Sequence, residues 1–190
     1  IARFPYVGKG VISHNTLSRP TDGLQVIKLH APCIGGEGCA EVSEVEGRAA
    51  TEQVVISDNR LTSSKGPGWN STLGPQSGRY EETLRDIIFE RNWLKAGAGS
   101  QVALVINASE VTVRHNLCDM SGSEGTCFDV FQRGPHHPPP DQVRLHNNTG
   151  YSATGGSFTL VNLRTANAVA RNVSVRNNLA SAPRASAKHL

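Results

Sequence analysis

Six times along the chain a short run rich in β-branched residues closes on an asparagine. The copies are VISHN (11–15), VVISDN (54–59), IIFERN (87–92), VTVRHN (111–116), VRLHNN (143–148) and VSVRNN (173–178). An apolar residue stands three places before each asparagine: Ile12, Ile56, Phe89, Val113, Leu145 and Val175. Runs this short and this β-branched make strands rather than helices, and the polar residues that end them are turn formers. A unit that cannot bury its apolar face alone must stack on copies of itself, so the recurrence points to a repeat architecture. The intervals between Asn15, Asn59, Asn92, Asn116, Asn148 and Asn178 are 44, 33, 24, 32 and 30 residues. The shortest fits one three-strand turn of a parallel solenoid, and the longer ones fit that turn with inserted loops. The copy from Gln101 to Asp119, which sets the shortest interval, reads as bare scaffold.

A second run recurs just after a glycine-containing turn: LQVIKLH (24–30), VALVI (102–106), FDVF (128–131) and FTLVNL (158–163). Between Asn59 and Asn92 the one candidate for this run is 69–73. Strand alternation across the copies predicts two inward rows, Leu24–Val102–Phe128–Phe158 and Val26–Leu104–Val130–Leu160. Facing outward are then Gln25, Ala103, Asp129 and Thr159, followed by Ile27, Val105, Phe131 and Val161.

The predicted fold is all-β, a solenoid of about six rungs occupying residues 1–180 as one domain, with 181–190 leaving it as a tail. The missing initiator Met and the lack of a cap before Gly10 point to a processed chain or a piece of a larger one. A side-chain amide is both donor and acceptor. Six of them stacked at the strand spacing of about 4.8 Å can therefore bond to one another and to turn backbone.

Within 190 residues the net charge is only +3, and the arginines that carry the basic excess are spread along the chain. Nucleic acid asks for a concentrated basic patch, so that partner is disfavoured, while an acidic polymer stays compatible. The longest aliphatic run is about five residues, far short of a membrane span. Four cysteines fall in two local pairs, Cys33 with Cys39 and Cys118 with Cys127, neither at zinc-ligand spacing. The glycine-rich loops between them allow two disulfides; the alternative for Cys118 and Cys127 is a pair of small buried hydrophobes. Bridges would place the chain in an oxidising compartment, extracellular or periplasmic. Insertions at 31–53, 62–86 and 134–142 sit where a rigid scaffold usually builds binding surfaces.

The six aligned asparagines and the V-x-V-x-x-N pattern around them resemble the pectate-lyase-like family of right-handed parallel β-helices, over roughly residues 10 to 180. The resemblance implies an asparagine ladder in the tight turn between second and third strands. It also implies a polysaccharide laid across the first-strand face, as in lyases, hydrolases and epimerases of this fold. Structural solenoids, adhesins and tailspikes share the architecture, so fold alone does not choose among these roles.

A uronate lyase needs a base for the proton beside the carboxylate and a cation to neutralise that carboxylate. At the downstream end of the first-strand face stand Lys28, His30, Asn107, Arg133 and Arg164, next to the loop residues His136, His137 and Asp141; there Arg133 or Lys28 would neutralise the carboxylate and His30 or His136 would be the base, with Arg164 and the outward-row Asp129 binding substrate. Trp69 and Tyr80 supply aromatic faces that suit pyranose rings. His136 and His137 have no matching third ligand, so no metal site is assigned, and calcium is left open without a motif that calls for it. Asp58, Arg91 and His115, directly before ladder asparagines, read as solvated turn residues. Sequons start at Asn70, Asn107, Asn147 and Asn172. There is no phosphate-binding glycine loop, no G-x-S-x-G and no HExxH. The sequence therefore points to an extracellular β-helix that binds a polysaccharide and, in its enzymatic form, cleaves it. The rival is a non-catalytic structural or adhesive solenoid that stacks end to end with other modules or subunits.

Overall fold

The computed structural model describes residues 2–4, 6–19, 25–33, 35–36, 50–75, 79–153, 157–164, 168–183 and 187–188. Of these, 2–4, 35–36, 64–67, 80 and 187–188 are described by backbone alone. Among the described residues every regular element is a β-strand, and no helix is long and apolar enough to cross a membrane. Two parallel sheets dominate, one of 11 strands and one of 7. A short antiparallel pair, Gly35–Gly36 with Tyr80–Glu81, stands apart from them.

Six strands of the 7-stranded sheet are the runs that close on asparagine: Gly10–Ser13, Val54–Ser57, Thr83–Glu90, Ser109–Arg114, Arg144–His146 and Ser174–Arg176 lie side by side in that order, and the seventh, Ala50–Thr51, pairs with the start of Thr83–Glu90. Their register brings Ile12, Ile56, Phe89, Val113, Leu145 and Val175 into a single row. The four central members of that row are fully buried, which is what a strand with one wet face and one core face requires. The strands after each asparagine join the larger sheet and align Leu17, Leu61, Leu94, Cys118, Gly150 and Ala180. One continuous apolar cluster takes residues from both sheets, including Ile56, Phe89 and Val113 from one and Leu61, Leu94, Leu104 and Phe128 from the other.

Along one edge of this core runs an unbroken file of asparagine amides. Each Nδ2 donates to the next Oδ1: Asn15 to Asn59 (3.0 Å), Asn59 to Asn92 (2.9 Å), Asn92 to Asn116 (3.2 Å), Asn116 to Asn148 (2.9 Å) and Asn148 to Asn178 (2.9 Å). The same Oδ1 also accepts the backbone N–H of the preceding asparagine. The second Nδ2 proton goes to the carbonyl of the row residue one repeat back, as from Asn116 to Phe89 (2.9 Å) and from Asn148 to Val113 (3.0 Å). A buried polar group left unmatched is costly, and here both ends of each interior amide are matched.

Every non-glycine residue recorded with positive φ lies at one of two corners of this repeat. His14, Asp58, Arg91, His115, Asn147 and Asn177 directly precede the asparagines, with φ between 51° and 58°. Gln53, Asp86, Glu110, Gln142 and Asn172 lie six places before an asparagine, with φ between 50° and 55°. None is β-branched, consistent with the steric cost of the left-handed region for such side chains.

Several expectations need correction. The glycine-linked runs do not stay separate from the strands after asparagine. In the two longest strands, Arg60–Leu73 and Trp93–Ile106, the two fuse across stretches of small residues. Much of 62–86 is therefore sheet rather than inserted loop, and 69–73 pairs with both 27–29 and 102–106. Ala103 and Leu104, adjacent in sequence, both join the core, so the alternation breaks between them and Val102, like Val105, faces outward. Ile27 aligns with Leu104 through Ser71 and is fully buried, where alternation counted from Gly23 sends it outward. Phe128 aligns with Val161, three places from the predicted match at Phe158. Within the segment read as a tail, Ala187–Lys188 pairs with Phe158 and Thr159. The bridge between Cys118 and Cys127 is present, tying a strand of one repeat to the start of the next. Cys33 is disulfide-bonded as well, while Cys39 lies outside the described residues.

Candidate functional site

The row Lys28, Thr72, Val105, Asp129 and Asn162 crosses the larger sheet at right angles to its strands. On this outward side a second, smaller apolar cluster forms from Val102, Val105 and Phe131, with Trp69 packed against it. The Phe131 ring meets Trp69 edge to face, with centroids 6.0 Å apart and planes at 74°. An arginine sits over each ring: the Arg133 guanidinium carbon is 5.2 Å from the Trp69 centroid, and that of Arg164 is 4.6 Å from Phe131. The result is a cation–ring–ring–cation array on one sheet face, a geometry in which guanidinium groups are attracted to the ring quadrupole.

Both arginines are held from behind. Arg164 Nε donates to Asp129 Oδ1 at 3.0 Å and its Nη2 to Oδ2, a bidentate pair. Asn162 Nδ2 donates to the same Oδ1 at 3.1 Å. The Asp129 side chain is fully covered whereas that of Arg164 is 43% exposed, so the pair presents its cation and hides its anion. Burial raises the Asp129 carboxyl pKa above the ordinary value, against the opposing pull of Arg164 and Asn162. Arg133 donates its backbone N–H to Asn107 Oδ1 (2.7 Å) and its Nη1 to the Pro75 carbonyl. Burial pushes its guanidinium pKa down, and the nearby charge of Glu82 partly opposes this.

The other chemistry-bearing residues are dispersed. His30 is buried, its Nδ1 lying 3.2 Å from the Ala31 carbonyl and 3.4 Å from Glu82 Oε2, which also accepts the Ala31 N–H at 2.9 Å. Lys28 is half-buried in the outward row. His136 is exposed on the 134–137 turn, while His137 beside it is buried. Tyr80 contributes its backbone to the pair with Gly36, and its side chain lies outside those described. The structure thus brings Trp69, Asp129, Arg133 and Arg164 together and leaves His30 and His136 out of that array. Phe131 and Asn162 complete it. Their signal in the sequence is that they stand at outward positions of a strand also carrying a charged partner.

Past Arg133, through the shared Asn107, lies a cavity of about 270 Å³ lined by Glu82, Arg85, Ser109, Glu110 and Asp141 among others. Among the described residues no group of three or more His, Cys, Asp or Glu converges as a metal site would require. At the corners, Arg91 pairs with Asp58 (2.8 Å) and Arg114 with Glu90 (2.6 Å). With arginine side chains 49% and 39% exposed, these contacts are screened and worth little. Of the sequon asparagines, Asn70 and Asn107 are buried and Asn147 and Asn172 are exposed. No family model matches this chain, and neither a curated protein nor a solved structure does.

Proposed function

We propose that this chain is a right-handed parallel β-helix, similar to the pectate-lyase-like proteins, and that its outward first-strand face binds an acidic polysaccharide outside the cell. Parallel register from repeat to repeat, one asparagine per repeat and two left-handed corners per repeat support the coil. The binding reading rests on one observation, the Arg133–Trp69–Phe131–Arg164 array. Aromatic faces suit the apolar faces of pyranoses, and guanidinium groups pair bidentately with carboxylates. Because Asp129 and the Pro75 carbonyl hold the two guanidinium groups in place, less side-chain freedom is lost when an anion docks. The disulfide fits an oxidising compartment. The proposal is for binding; a lyase would need a base that reaches the sugar, and His30 is buried against Glu82.

Affinity electrophoresis in gels containing polygalacturonate, alginate or a neutral dextran tests this. The chain is expected to be retarded by a uronic-acid polymer and not by dextran. Arg133→Gln should weaken that retardation on the order of tenfold, the loss of about one hydrogen bond to a charged group. Equal mobility in all gels at low salt, or retardation by dextran alone, overturns the proposal.

A further inference from the structure

The smaller sheet carries its charges unevenly. On its outward side the register places Glu90, Arg114, His146 and Arg176 in one row and Ile88, Thr112, Arg144 and Ser174 in the row beside it. The corner residues Asp58, Arg91, His115 and Asn147 follow at the asparagine end of these strands. Up to Arg114 each of these arginines has an acid: Arg91 bonds Asp58 and Glu90, and Arg114 bonds Glu90. Beyond Arg114 that balance fails. Arg144 and Arg176 are exposed, and their side chains enter no ion pair or hydrogen bond among the described residues.

His146 completes the group. It is half-buried, and its ring meets that of the exposed His115 edge to face, with centroids 6.2 Å apart and planes at 81°. Its register neighbours are Arg114 on one side and Arg176 on the other, and Arg144 stands two residues before it on the same face. Thr112 and Ser174 set a hydroxyl on either side of Arg144. The carboxylates around this group are Glu90, which lies beyond Arg114 and is bonded by it, and Glu110 and Asp141, which sit with Arg171 at the other corner of these repeats. Arg114, Arg144 and Arg176 stand 30 and 32 residues apart in the sequence, and the repeat brings them to one face.

We infer that this face, centred on Arg144 and His146, binds a sulfated polysaccharide, and binds it more tightly as the pH falls. It is a second face, separate from the Arg133–Arg164 array on the larger sheet, and does not rest on the reading of that array. No Trp, Tyr or Phe points outward from the strands of the smaller sheet, so neither a sugar ring nor an unstacked base finds a platform and recognition is by charge. Contact by charge alone is strongest for the polymer of highest charge density, and a polysulfated chain carries more anions per sugar than a polyuronate. Guanidinium groups donate in pairs to such oxyanions, and neighbouring arginines repel a metal ion from the two histidines. Imidazole takes up its proton between about pH 8 and pH 5, adding positive charge beside the arginines while sulfate esters stay ionised.

Chromatography of the whole chain on immobilised dextran sulfate, eluted with a salt gradient at about pH 7.5 and about pH 5.5, tests this. The chain is expected to be retained, and to elute at higher salt at the lower pH. Arg144→Ser should weaken binding on the order of tenfold, the loss of one hydrogen-bonding charge, and adding Arg176→Ser should abolish retention. Thr112→Glu removes no cation but sets a carboxylate beside Arg144 as Glu90 stands beside Arg114, and should weaken binding to a similar extent. His146→Gln should lose the gain at low pH, whereas His14→Gln, near Asp58 on the acid-matched side, should keep it. Absence of retention at low salt overturns the inference. So does wild-type elution of both Arg144→Ser and Thr112→Glu, or a gain at low pH that survives His146→Gln with His115→Gln. Arg133→Gln lowering the elution salt as much as Arg144→Ser overturns it by placing the polymer on the larger sheet. Duplex DNA that elutes the chain at a lower concentration of anionic groups than free dextran sulfate overturns it in favour of nucleic acid.

Discussion

A primary amide offers two protons and an oxygen with two lone pairs, and few buried sites satisfy all of them. Asn116 comes close: its oxygen accepts two N–H groups from Asn92, and its Nδ2 reaches Phe89 O, Arg114 O and Asn148 Oδ1. No other side chain reproduces that set, since aspartate lacks the donors and leucine lacks everything but bulk. Asn116→Ala is expected to lower the unfolding free energy by about 2–4 kcal/mol, as several buried groups lose partners at once. Asn15→Ala, at an exposed end where only outgoing bonds are made, should cost about 1 kcal/mol or less. Urea denaturation of both variants checks the contrast; equal losses would mean that the file does not act as a buried network. The six asparagines were readable in the sequence because each is tied to a run of fixed length. Asp129 was readable as an outward position, yet its full burial was not, because that depends on Arg164 closing over it from the next repeat.

The middle strand of each repeat is the element that the sequence specifies most tightly. In the five copies from Gln53 onward its two left-handed corners are five residues apart, as Glu110 and His115 are, so each of these spans the same number of residues whatever the neighbouring loops do. That constancy explains why the row from Ile12 to Val175 followed from counting back three places. Only the corner beside the asparagine drew notice; Gln53, Asp86, Glu110, Gln142 and Asn172 share polarity but no residue type, so nothing marks them by composition. The steric argument makes a prediction at this corner. Glu110 is exposed with φ 54°, so Glu110→Gly should be neutral or stabilising by up to ~1 kcal/mol, while Glu110→Val should cost ~1–2 kcal/mol. Thermal melts of the two variants against wild type decide it, and a valine tolerated without loss would refute the steric account. The longer strands were harder to read. Arg60–Leu73 and Trp93–Ile106 run on through residues such as Gly97 and Ser100, whose own preferences do not favour a strand, and past Gly99, which takes a positive φ of 84°. Two adjacent residues, Ala103 and Leu104, both face the core, and this break in alternation leaves Val102 on the outward side beside Trp69.

For the molecule as a whole, neighbour-to-neighbour stacking means that stability should grade along the chain instead of being shared evenly. Core residues are fully buried in the central repeats, as at Ile56, Phe89 and Val113, and only partly so at Ile12 and Val175. Amide hydrogen exchange at low concentration is therefore expected to be slowest in 87–90 and 111–114 and fastest in 10–13 and 174–176. Uniform protection across all of these strands would instead indicate a single cooperative unit. The candidate face was only partly legible at this scale. Residue types fitting a carboxylate could be named one by one, but which of them meet depends on the pairing offsets between repeats, and those vary with each inserted loop.

Gly150 shows what those offsets permit. It stands in the row of Leu17, Leu61, Leu94 and Cys118, and a Cβ there would lie 2.5 Å from Leu160 Cδ1 and 2.9 Å from Phe158 Cζ. The opposite wall has taken over volume that this row supplies elsewhere. In this layer the filling is thus supplied from another station than in its neighbours, so bulk can be exchanged across the core while the outline stays unchanged. Chains built on this plan can consequently lose all positional likeness on their inner walls and still stack, with the amide file as the part that keeps count.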